Sequence, residues 1–140
     1  MSSQLFKSEK LIIYTDGGAR GNPGPAAIGV VVGSKHYGGY IGETTNNVAE
    51  YKAIIFALKK VKQLIGKIKA KTTEIEIRAD SELVVRQLNG RYKILDKGLQ
   101  FLFVEIWNLR LDFKKIDFVH IPREKNKLAD KLVNQALDSQ

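Results

Sequence analysis

The chain has 140 residues with an apolar fraction of 44%, which is enough for one globular domain with a hydrophobic core. Its 23 Lys and Arg against 15 Asp and Glu give a net charge of +8, which favours a polyanionic partner, although a solubilising surface explains it equally well. The absence of cysteine excludes a disulfide framework and cysteine-ligated zinc, fits a reducing compartment, and leads us to expect a cytoplasmic protein. No apolar run could span a bilayer, and residues 1–9 lack the apolar core of a signal peptide, so we expect a flexible lead-in there.

The first predicted strand, residues 10–15, is an apolar run that leads directly into an acid and two glycines. Such a run is typical of a strand buried on both faces of a sheet. Asp16 has no packing reason to end it, and the two glycines allow a sharp turn or the close approach of a ligand. A loop rich in glycine and proline at 17–25 then leads to strands at 26–32 and 36–41, which predicts an antiparallel meander.

The rest of the chain alternates between helical and strand patterns. The predicted elements are a helix that opens within 44–50 and runs to 65, a basic exit loop at 67–71, a half-exposed strand at 73–79, a short helix at 82–88, a longer helix at 95–111, a strand at 114–121, a turn at 122–124 and an amphipathic helix at 125–137. The order β-β-β-α-β-α-α-β-α predicts a single α/β domain over residues 1–140.

Four acids occupy positions that packing alone does not explain. Glu50 lies in the core-facing stripe of the first helix, where an unpaired carboxylate is costly, but a capping box with Asn47 as the N-cap explains it about equally well. Asp80 is also explained as the N-cap of the short helix, and Asp130 as an ordinary charge beside an apolar stripe. For Asp16 a purely structural explanation is weakest, because this residue ends a buried strand and does not precede a helix.

Together the four acids form a pattern, with two at strand ends and two on helix faces that pack against the sheet. Sites in α/β sheets form beyond the carboxyl ends of strands. Carboxylates that meet there repel one another unless cations are present, and oxygen-only ligands suit Mg²⁺ or Mn²⁺ rather than zinc. Two such ions about 3.5–4 Å apart form the clamp used for in-line phosphoryl displacement. We therefore predict an acidic metal site on a basic protein that attracts nucleic acid.

Several short motifs occur in order over nearly the whole chain. They are Tyr14-Thr15-Asp16-Gly17-Gly18, Asn22-Pro23-Gly24-Pro25, Thr45-Asn46-Asn47 with Glu50, Asp80-Ser81, and Asn126 with Ala129-Asp130. This ordered set resembles type 1 ribonuclease H. The resemblance implies a ribonuclease H-like fold, a five-stranded mixed sheet of order 3-2-1-4-5 flanked by helices. It also implies an endoribonuclease that hydrolyses the RNA strand of RNA/DNA hybrids by two-metal-ion catalysis.

The resemblance assigns the four acids as catalytic and metal-binding residues. Asp16 would bridge both ions, Asp130 would help hold the ion that activates water, and Glu50 and Asp80 would hold the other. The implied cofactor is Mg²⁺, two ions with substrate bound, with Mn²⁺ as a substitute. The implied substrate-binding residues are Gly17, Asn22, Thr45, Asn46, Asn47 and Asn126. Asparagine amides suit a 2′-hydroxyl, which both donates and accepts hydrogen bonds, although turn and capping chemistry explains them as well.

Two segments depart from the family's pattern. Residues 121–126 are too few for the flexible loop in which many members carry a histidine. We expect His120 to be a packed strand residue, and Arg123 to replace the loop histidine near the scissile phosphate as a charged donor. Residues 89–97 are too few for the basic helix that some members use as a substrate handle. The expected replacements, each explained about as well by a solvated face, are Lys59, Lys60, Lys62, Arg91, Lys93 and Lys97.

Two other functions were weighed against this one. A non-catalytic nucleic-acid-binding domain on the same fold would need a broken carboxylate set, and this set is complete. A resolvase or integrase-like nuclease is disfavoured by Asn22, Asn46 and Asn47, since the resemblance ties those contacts to RNA/DNA hybrids. The expected partner is therefore a hybrid duplex, and we expect a monomer that needs no protein partner or membrane.

Overall fold

The computed structural model describes residues 9–140, so all but the last residue of the lead-in expected at residues 1–9 lies outside the described residues. Five strands are present there: β1 (Glu9–Ala19), β2 (Gly24–Val32), β3 (Lys35–Thr44), β4 (Thr73–Ala79) and β5 (Lys115–His120). They form one sheet of order β3-β2-β1-β4-β5. The pairs β1–β2 and β2–β3 are antiparallel, whereas β1–β4 and β4–β5 are parallel. The predicted mixed sheet and its strand order are confirmed.

Helices flank the sheet. Within residues 9–140 they are α1 (Asn46–Ile65), α2 (Lys67–Ala70), α3 (Glu82–Leu88), α4 (Lys97–Arg110) and α5 (Lys127–Asp138), with a 3-10 turn (Arg123–Lys125) before α5. No helix in this part of the chain is long and apolar enough to cross a membrane.

The main hydrophobic core lies between α1 and one face of the sheet. The apolar residues of α1 recur with the helical period, so that a single face of the helix is buried. The largest fully buried side chains on the two sides are Ile13, Val30, Ile75 and Ile77 from the strands and Tyr51, Ile54, Leu58 and Val61 from α1. A second, smaller cluster joins Ala27 of β2 to Val133 and Leu137 of α5. Because side chains alternate along a strand, α5 covers the opposite face of the sheet from α1.

The predicted bounds of the first hairpin are wrong. β1 continues through the acid and the glycines to Ala19, because its backbone pairs with β2 as far as Ala26. The loop expected at 17–25 therefore shrinks to residues 20–23, in which the Asn22–Pro23 peptide bond is cis. β1 also begins at Glu9, inside the predicted lead-in.

Two further segments differ from the prediction. The basic exit loop at 67–71 is mostly the short helix α2, which the chain enters through Gly66 at a φ of 86°. β4 is more buried than expected, since Glu76 is only 9% exposed. Its carboxylate pairs with Lys10 Nζ at 2.9 Å and Arg78 Nε at 2.6 Å, and these hydrogen bonds lower the pKa of Glu76. Paired in this way, an acid is tolerated on a largely buried strand.

Candidate active site

Asp16 lies where the sheet changes its pairing. The parallel pairing of β1 with β4 stops at Tyr14 and Arg78, whereas the antiparallel pairing with β2 continues past Asp16, which faces Gly29. The acid therefore sits beside the carboxyl end of β4, the edge at which α/β sheets form their sites. Asp16 is 7% exposed, as expected for the centre of a site built around it.

Gly17 brings Glu50 to Asp16. A Cβ at Gly17 would overlap the backbone of Ala49, so only glycine allows α1 to lie this close to β1. The Gly17 N–H donates to Asp16 Oδ1 at 3.0 Å and to Glu50 Oε1 at 2.9 Å. One backbone donor thus joins two carboxylates from different elements.

The capping explanation for Glu50 is wrong. The N-cap of α1 is Thr45, whose hydroxyl accepts a hydrogen bond from the Val48 N–H at 3.2 Å, so Asn47 already lies inside the helix. Glu50 is then too far along the helix to complete a capping box with the N-cap. Glu50 is nevertheless buried, with 8% of its surface exposed, and it accepts a hydrogen bond from the Gly17 N–H. These contacts favour a role for Glu50 in the site.

Asp80 follows β4 directly and is not a helix cap either. Ser81 is the N-cap of α3 and accepts a hydrogen bond from Val84 N–H at 3.3 Å. The Asp80 carboxylate instead accepts a hydrogen bond at Oδ2 from Asn126 Nδ2 at 3.0 Å. A polar side chain from the far end of the chain therefore holds the third acid.

Asp130 reaches the site because α5 packs tightly on β2 and β3. A Cβ at Gly29 would overlap the carbonyl oxygen of Ala129, and a Cβ at Gly38 would lie 3.0 Å from Leu132 O. Since Gly29 faces Asp16 in the sheet, the close contact at Ala129 places the next residue, Asp130, beside Asp16. The Asp130 side chain is exposed and lines the same cleft as the other three acids.

The electrostatics of the cluster match a cation site. Carboxylate oxygens of Asp16, Glu50 and Asp80 lie within 4.8 Å of one another. Burial, followed by the charges of Asp80 and Asp130, raises the pKa of Asp16 to about 8. Burial, followed by the charges of Asp16 and Asp80, holds the pKa of Glu50 well above its usual range. Acids that repel one another in this way form an oxygen-only donor set, which fits a hard divalent cation.

The acids open onto a cleft of about 380 Å³. Among the predicted site residues it is lined by Asp16, Gly17, Asn46, Asn47, Glu50, Asp80, Arg123 and Asp130. Asn46 and Asn22 fix the mouth of the cleft, since Asn46 Oδ1 accepts from Ala19 N–H at 2.8 Å and Asn22 Oδ1 accepts from Asn46 N–H at 3.0 Å. Within residues 9–140, the Nδ2 atoms of Asn22 and Asn46 make no hydrogen bond.

One predicted substrate contact does not fit the structure. Asn126 is 1% exposed and lies behind the carboxylates, so it cannot touch a bound duplex from this position. The other predicted substrate contacts, at Gly17, Asn22, Thr45, Asn46 and Asn47, stay predictions.

Arg123 and His120 are separated by their positions. Arg123 lines the cleft, and its charge opposes the rise in the pKa of Glu50. His120 is the last residue of β5 and pairs with Ala79, so it is a strand residue as expected, but it is exposed and not packed. It is absent from the residues that line the cleft in the described part of the chain.

Sequence patterns missed some cleft residues. Arg20 lines the cleft, forms an ion pair with Asp138 at 2.7 Å and donates to Asn134 Oδ1 at 3.3 Å, which links the first hairpin to α5. Arg20 and Asn134 are 114 residues apart, and no local motif connects them. Two of the six basic residues expected to contact substrate are paired elsewhere, Lys59 with Glu105 at 2.8 Å and Lys62 with Asp112 at 2.9 Å.

Comparison with known proteins identifies the family. A family model described as reverse transcriptase-like matches residues 14–136. The chain is 40% identical over 131 residues to ribonuclease HI of Halobacterium salinarum, which covers 89% of this chain and 63% of that protein. It is 39% identical over 137 residues to the bifunctional protein Rv2228c of Mycobacterium tuberculosis, which covers 93% of this chain, while the chain spans 36% of that relative's length.

Solved structures agree with the sequence comparison. LC11-RNase H1, isolated from compost by a metagenomic approach, has a TM-score of 0.86 and 50% identity, over 94% of this chain and 97% of its own. The structure of LC11-RNase H1 in complex with an RNA/DNA hybrid has a TM-score of 0.87 and 50% identity, over 92% of this chain and 97% of its own. The strand order, the carboxylate cluster and these similarities together show that the chain belongs to the type 1 ribonuclease H family.

Proposed function

We propose that the protein is an endoribonuclease that hydrolyses the RNA strand of RNA/DNA hybrids and depends on divalent cations. The observation that carries the proposal is the convergence of Asp16, Glu50 and Asp80, whose carboxylate oxygens lie within 4.8 Å of one another at the edge of an open cleft. The similarity to LC11-RNase H1, which has been solved with an RNA/DNA hybrid, supports this substrate.

The residues of the cleft divide the work by their chemistry. Asp16, Glu50 and Asp80 would hold cations, with Asp130 completing the set from the exposed side of the cleft. When bound, Mg²⁺, or Mn²⁺ as a substitute, would supply an activated water and charge stabilisation at the phosphate. Arg123 would bind a phosphate oxygen as a fixed positive charge, since a guanidinium carries no transferable proton at neutral pH.

Recognition of RNA falls to the asparagines near the mouth of the cleft. The carbonyl oxygens of Asn22 and Asn46 are occupied by backbone N–H groups, which fixes the orientation of both amides. Their Nδ2 groups are then left as donors to a 2′-hydroxyl or a base edge in the minor groove. Asn47 lines the same cleft.

The proposal extends to the setting of the reaction. All four acids come from one chain, so the site needs no residue from a second copy, and we infer a monomer that acts without an obligatory protein partner. A chain without cysteine suits the reducing cytoplasm, where we place the reaction.

One labelled duplex offered as RNA/DNA, RNA/RNA and DNA/DNA, each with Mg²⁺ or Mn²⁺, tests the proposal. We expect cutting confined to the RNA strand of the hybrid, and its loss in Asp16→Asn. Hybrid binding without any cutting would overturn the proposed nuclease activity and favour a non-catalytic nucleic-acid-binding domain. Equal cutting of DNA/DNA would overturn the substrate.

A further inference from the structure

Asn126 is hydrogen-bonded to two of the four acids, Asp80 and Asp130, and to Thr15, the residue before a third. Its side-chain Nδ2 donates to Asp80 Oδ2 at 3.0 Å and to the carbonyl oxygen of Thr15, the residue before Asp16, at 2.9 Å. Its backbone carbonyl accepts from the Asp130 N–H at 3.1 Å. One residue therefore joins Asp80 to β1 on one side and to the start of α5 on the other.

The Asn126 side chain does not cap the helix at whose N-terminus it lies. Asn126 is the N-cap of α5, where asparagine usually accepts a hydrogen bond from the first turn, yet its side chain makes no capping bond. Thr45, Ser81 and Asp96 all cap their helices with side-chain oxygens. The side chain of Asn126 is directed at the carboxylate cluster instead of at its own helix.

The geometry leaves one orientation for this amide. Both neighbours of Nδ2, the Asp80 carboxylate and the Thr15 carbonyl, are acceptors, so a flipped amide would place its oxygen against two oxygens. The Oδ1 atom has no hydrogen-bond partner within residues 9–140, and the residue is 1% exposed. A residue chosen for packing alone would not carry an unpartnered buried oxygen, which is destabilising.

We propose that Asn126 is a positioning residue that holds Asp80 against β1 and thereby determines the affinity of the carboxylate cluster for divalent cations. The inference rests on the proposed function, because it concerns the same cluster. Asn126 touches neither substrate nor cation and acts through Asp80. Residues that hold a metal ligand in place typically change metal affinity or activity about 10- to 100-fold when they are removed.

The first test measures how hybrid cleavage depends on Mg²⁺ concentration in Asn126→Ala and Asn126→Ser. We expect the half-saturating Mg²⁺ concentration to rise about tenfold or more, and kcat to recover in large part when Mg²⁺ is saturating. Asn89→Ala is the matched control, because the Asn89 amide also bridges two elements, donating to Phe118 O at 3.0 Å, but lies outside the cleft. We expect the control to lower stability without changing the Mg²⁺ requirement.

The second test needs no turnover. A ligand that binds only the folded state raises the melting temperature, so Mg²⁺ added at constant ionic strength should stabilise the wild type and the Asn89→Ala control alike. We expect a smaller rise for Asn126→Ala and none for Asp80→Asn, in which the ligand itself is changed.

The outcomes separate the two proposals. A wild-type Mg²⁺ requirement and a wild-type Mg²⁺ response in a destabilised Asn126→Ala would overturn the positioning role and leave a packing residue. If Asn126→Ala does not fold, Asn126→Ser, which leaves a smaller cavity and keeps a hydroxyl, decides in the same way. A wild type that cuts no duplex overturns the proposed function, whereas a Mg²⁺-induced rise in melting temperature that is lost in the Asn126 variants still supports the positioning role.

Discussion

Asp16 is 7% exposed. Its burial, together with the charges of Asp80 and Asp130, raises the pKa of its carboxyl group to about 8. In the unfolded chain the pKa of an aspartate is close to 3.8. Between these values the folded, cation-free protein holds a proton at Asp16 that the unfolded chain has released. The free energy of unfolding of the cation-free protein should therefore fall as the pH rises from about 4 to about 8.

Asp16→Asn should remove the part of this pH dependence that comes from Asp16, while the raised pKa of Glu50 keeps a contribution of the same sign. With the like charges relieved, we expect the variant to melt roughly 3–8 °C above the wild type at pH 8 in EDTA, and the difference to shrink toward pH 5. Cleavage should fall by at least about a hundredfold, the loss typical when one preorganised group is removed from an active site. Thermal melts at several pH values and a single-turnover assay check the two parts. Wild-type turnover in the variant would refute the site.

Arg123 and His120 can be told apart by single substitutions. Because Arg123 lines the cleft and His120 does not, Arg123→Ala should lower kcat about tenfold or more, the equivalent of one charge-assisted hydrogen bond. His120→Ala should leave kcat near the wild-type value, and Arg123→Lys should restore part of the loss. The opposite ranking in a steady-state assay would assign the role of the missing loop histidine to His120.

The ligand set also predicts how the proposed activity responds to different cations. EDTA should abolish cleavage, and Mg²⁺ or Mn²⁺ should restore it. Ca²⁺ should restore it poorly, because its longer and more variable bonds do not hold the carboxylates in octahedral geometry. Cleavage in each cation after dialysis against EDTA is the measurement. Full activity in Ca²⁺ would contradict the expectation that the cluster requires octahedral geometry.

At the scale of elements, the site depends on how closely two helices approach the sheet. α1 contacts β1 at Gly17 and α5 contacts β2 at Gly29, and a Cβ at either glycine would overlap helix backbone. Neither segment can relax without moving a whole helix, because cores are close-packed. The two helices bring Glu50 and Asp130 to Asp16 from opposite faces of the sheet.

Gly17→Ala should therefore damage stability and activity together. Overpacking of this kind costs about 1–3 kcal/mol, and displacement of α1 should withdraw Glu50 and lower kcat about tenfold or more. Gly39→Ala is the matched control, since a Cβ there meets nothing within 4 Å and the backbone φ is not positive. Denaturant melts and cleavage assays on both variants are the measurement. An active, stable Gly17→Ala would show that α1 can move without cost.

Hydrophobic pattern predicted most elements because each helix and strand of the core repeats its apolar residues with its own period. The helix caps were harder to predict. Thr45, Asn46 and Asn47 are all good N-cap residues, and Thr45 caps α1 because Asn46 is held by Ala19 N–H. That contact joins residues 27 apart, so no local rule contains it.

At the scale of the whole molecule, the chain has a net charge of +8, although four acids line its cleft. Lys59 pairs with Glu105 of α4 and Lys62 with Asp112, two residues after that helix, whereas Arg91, Lys93 and Lys97 form no ion pair within residues 9–140. Contacts between free cations and phosphates release counterions from the duplex. The salt dependence of hybrid binding should therefore come more from the Lys and Arg side chains that form no ion pair than from the paired ones.

Binding of Asp16→Asn to a hybrid should weaken steeply with salt. Each phosphate contact contributes a log–log slope of about −0.9 on duplex DNA, so Lys93→Ala or Arg91→Ala should reduce the slope by up to about one. Lys59→Ala, whose side chain is paired with Glu105, is the control and should reduce it less. Fluorescence anisotropy across a salt series is the measurement, and a slope of zero would contradict an electrostatic contact surface.

The chemistry of the site could be predicted from the sequence, whereas the residues that hold the acids in place could not. Asp16 stood out because packing did not explain it, whereas Glu50, Asp80 and Asp130 each had a local explanation and were assigned together with it as a pattern; the structure places all four at one cleft. The residues that hold them act over long separations: Asn126 bonds to Thr15 across 111 residues, and Arg20 to Asn134 across 114. Such contacts follow from the fold and leave no periodic trace in the sequence.

The contacts of α5 at Gly29 and Gly38 have a consequence for how the chain tolerates change in length. Because packing against the sheet fixes the position of α5, the position of Asp130 does not depend on the length of the connection from β5. That connection is free to be short, as it is here between His120 and Lys127, or to be lengthened without loss of register. Residues inserted before Arg123 would lie at the rim of the cleft and leave Asn126 in its buried place, so this end of the junction is where new chemistry could be added without rebuilding the site.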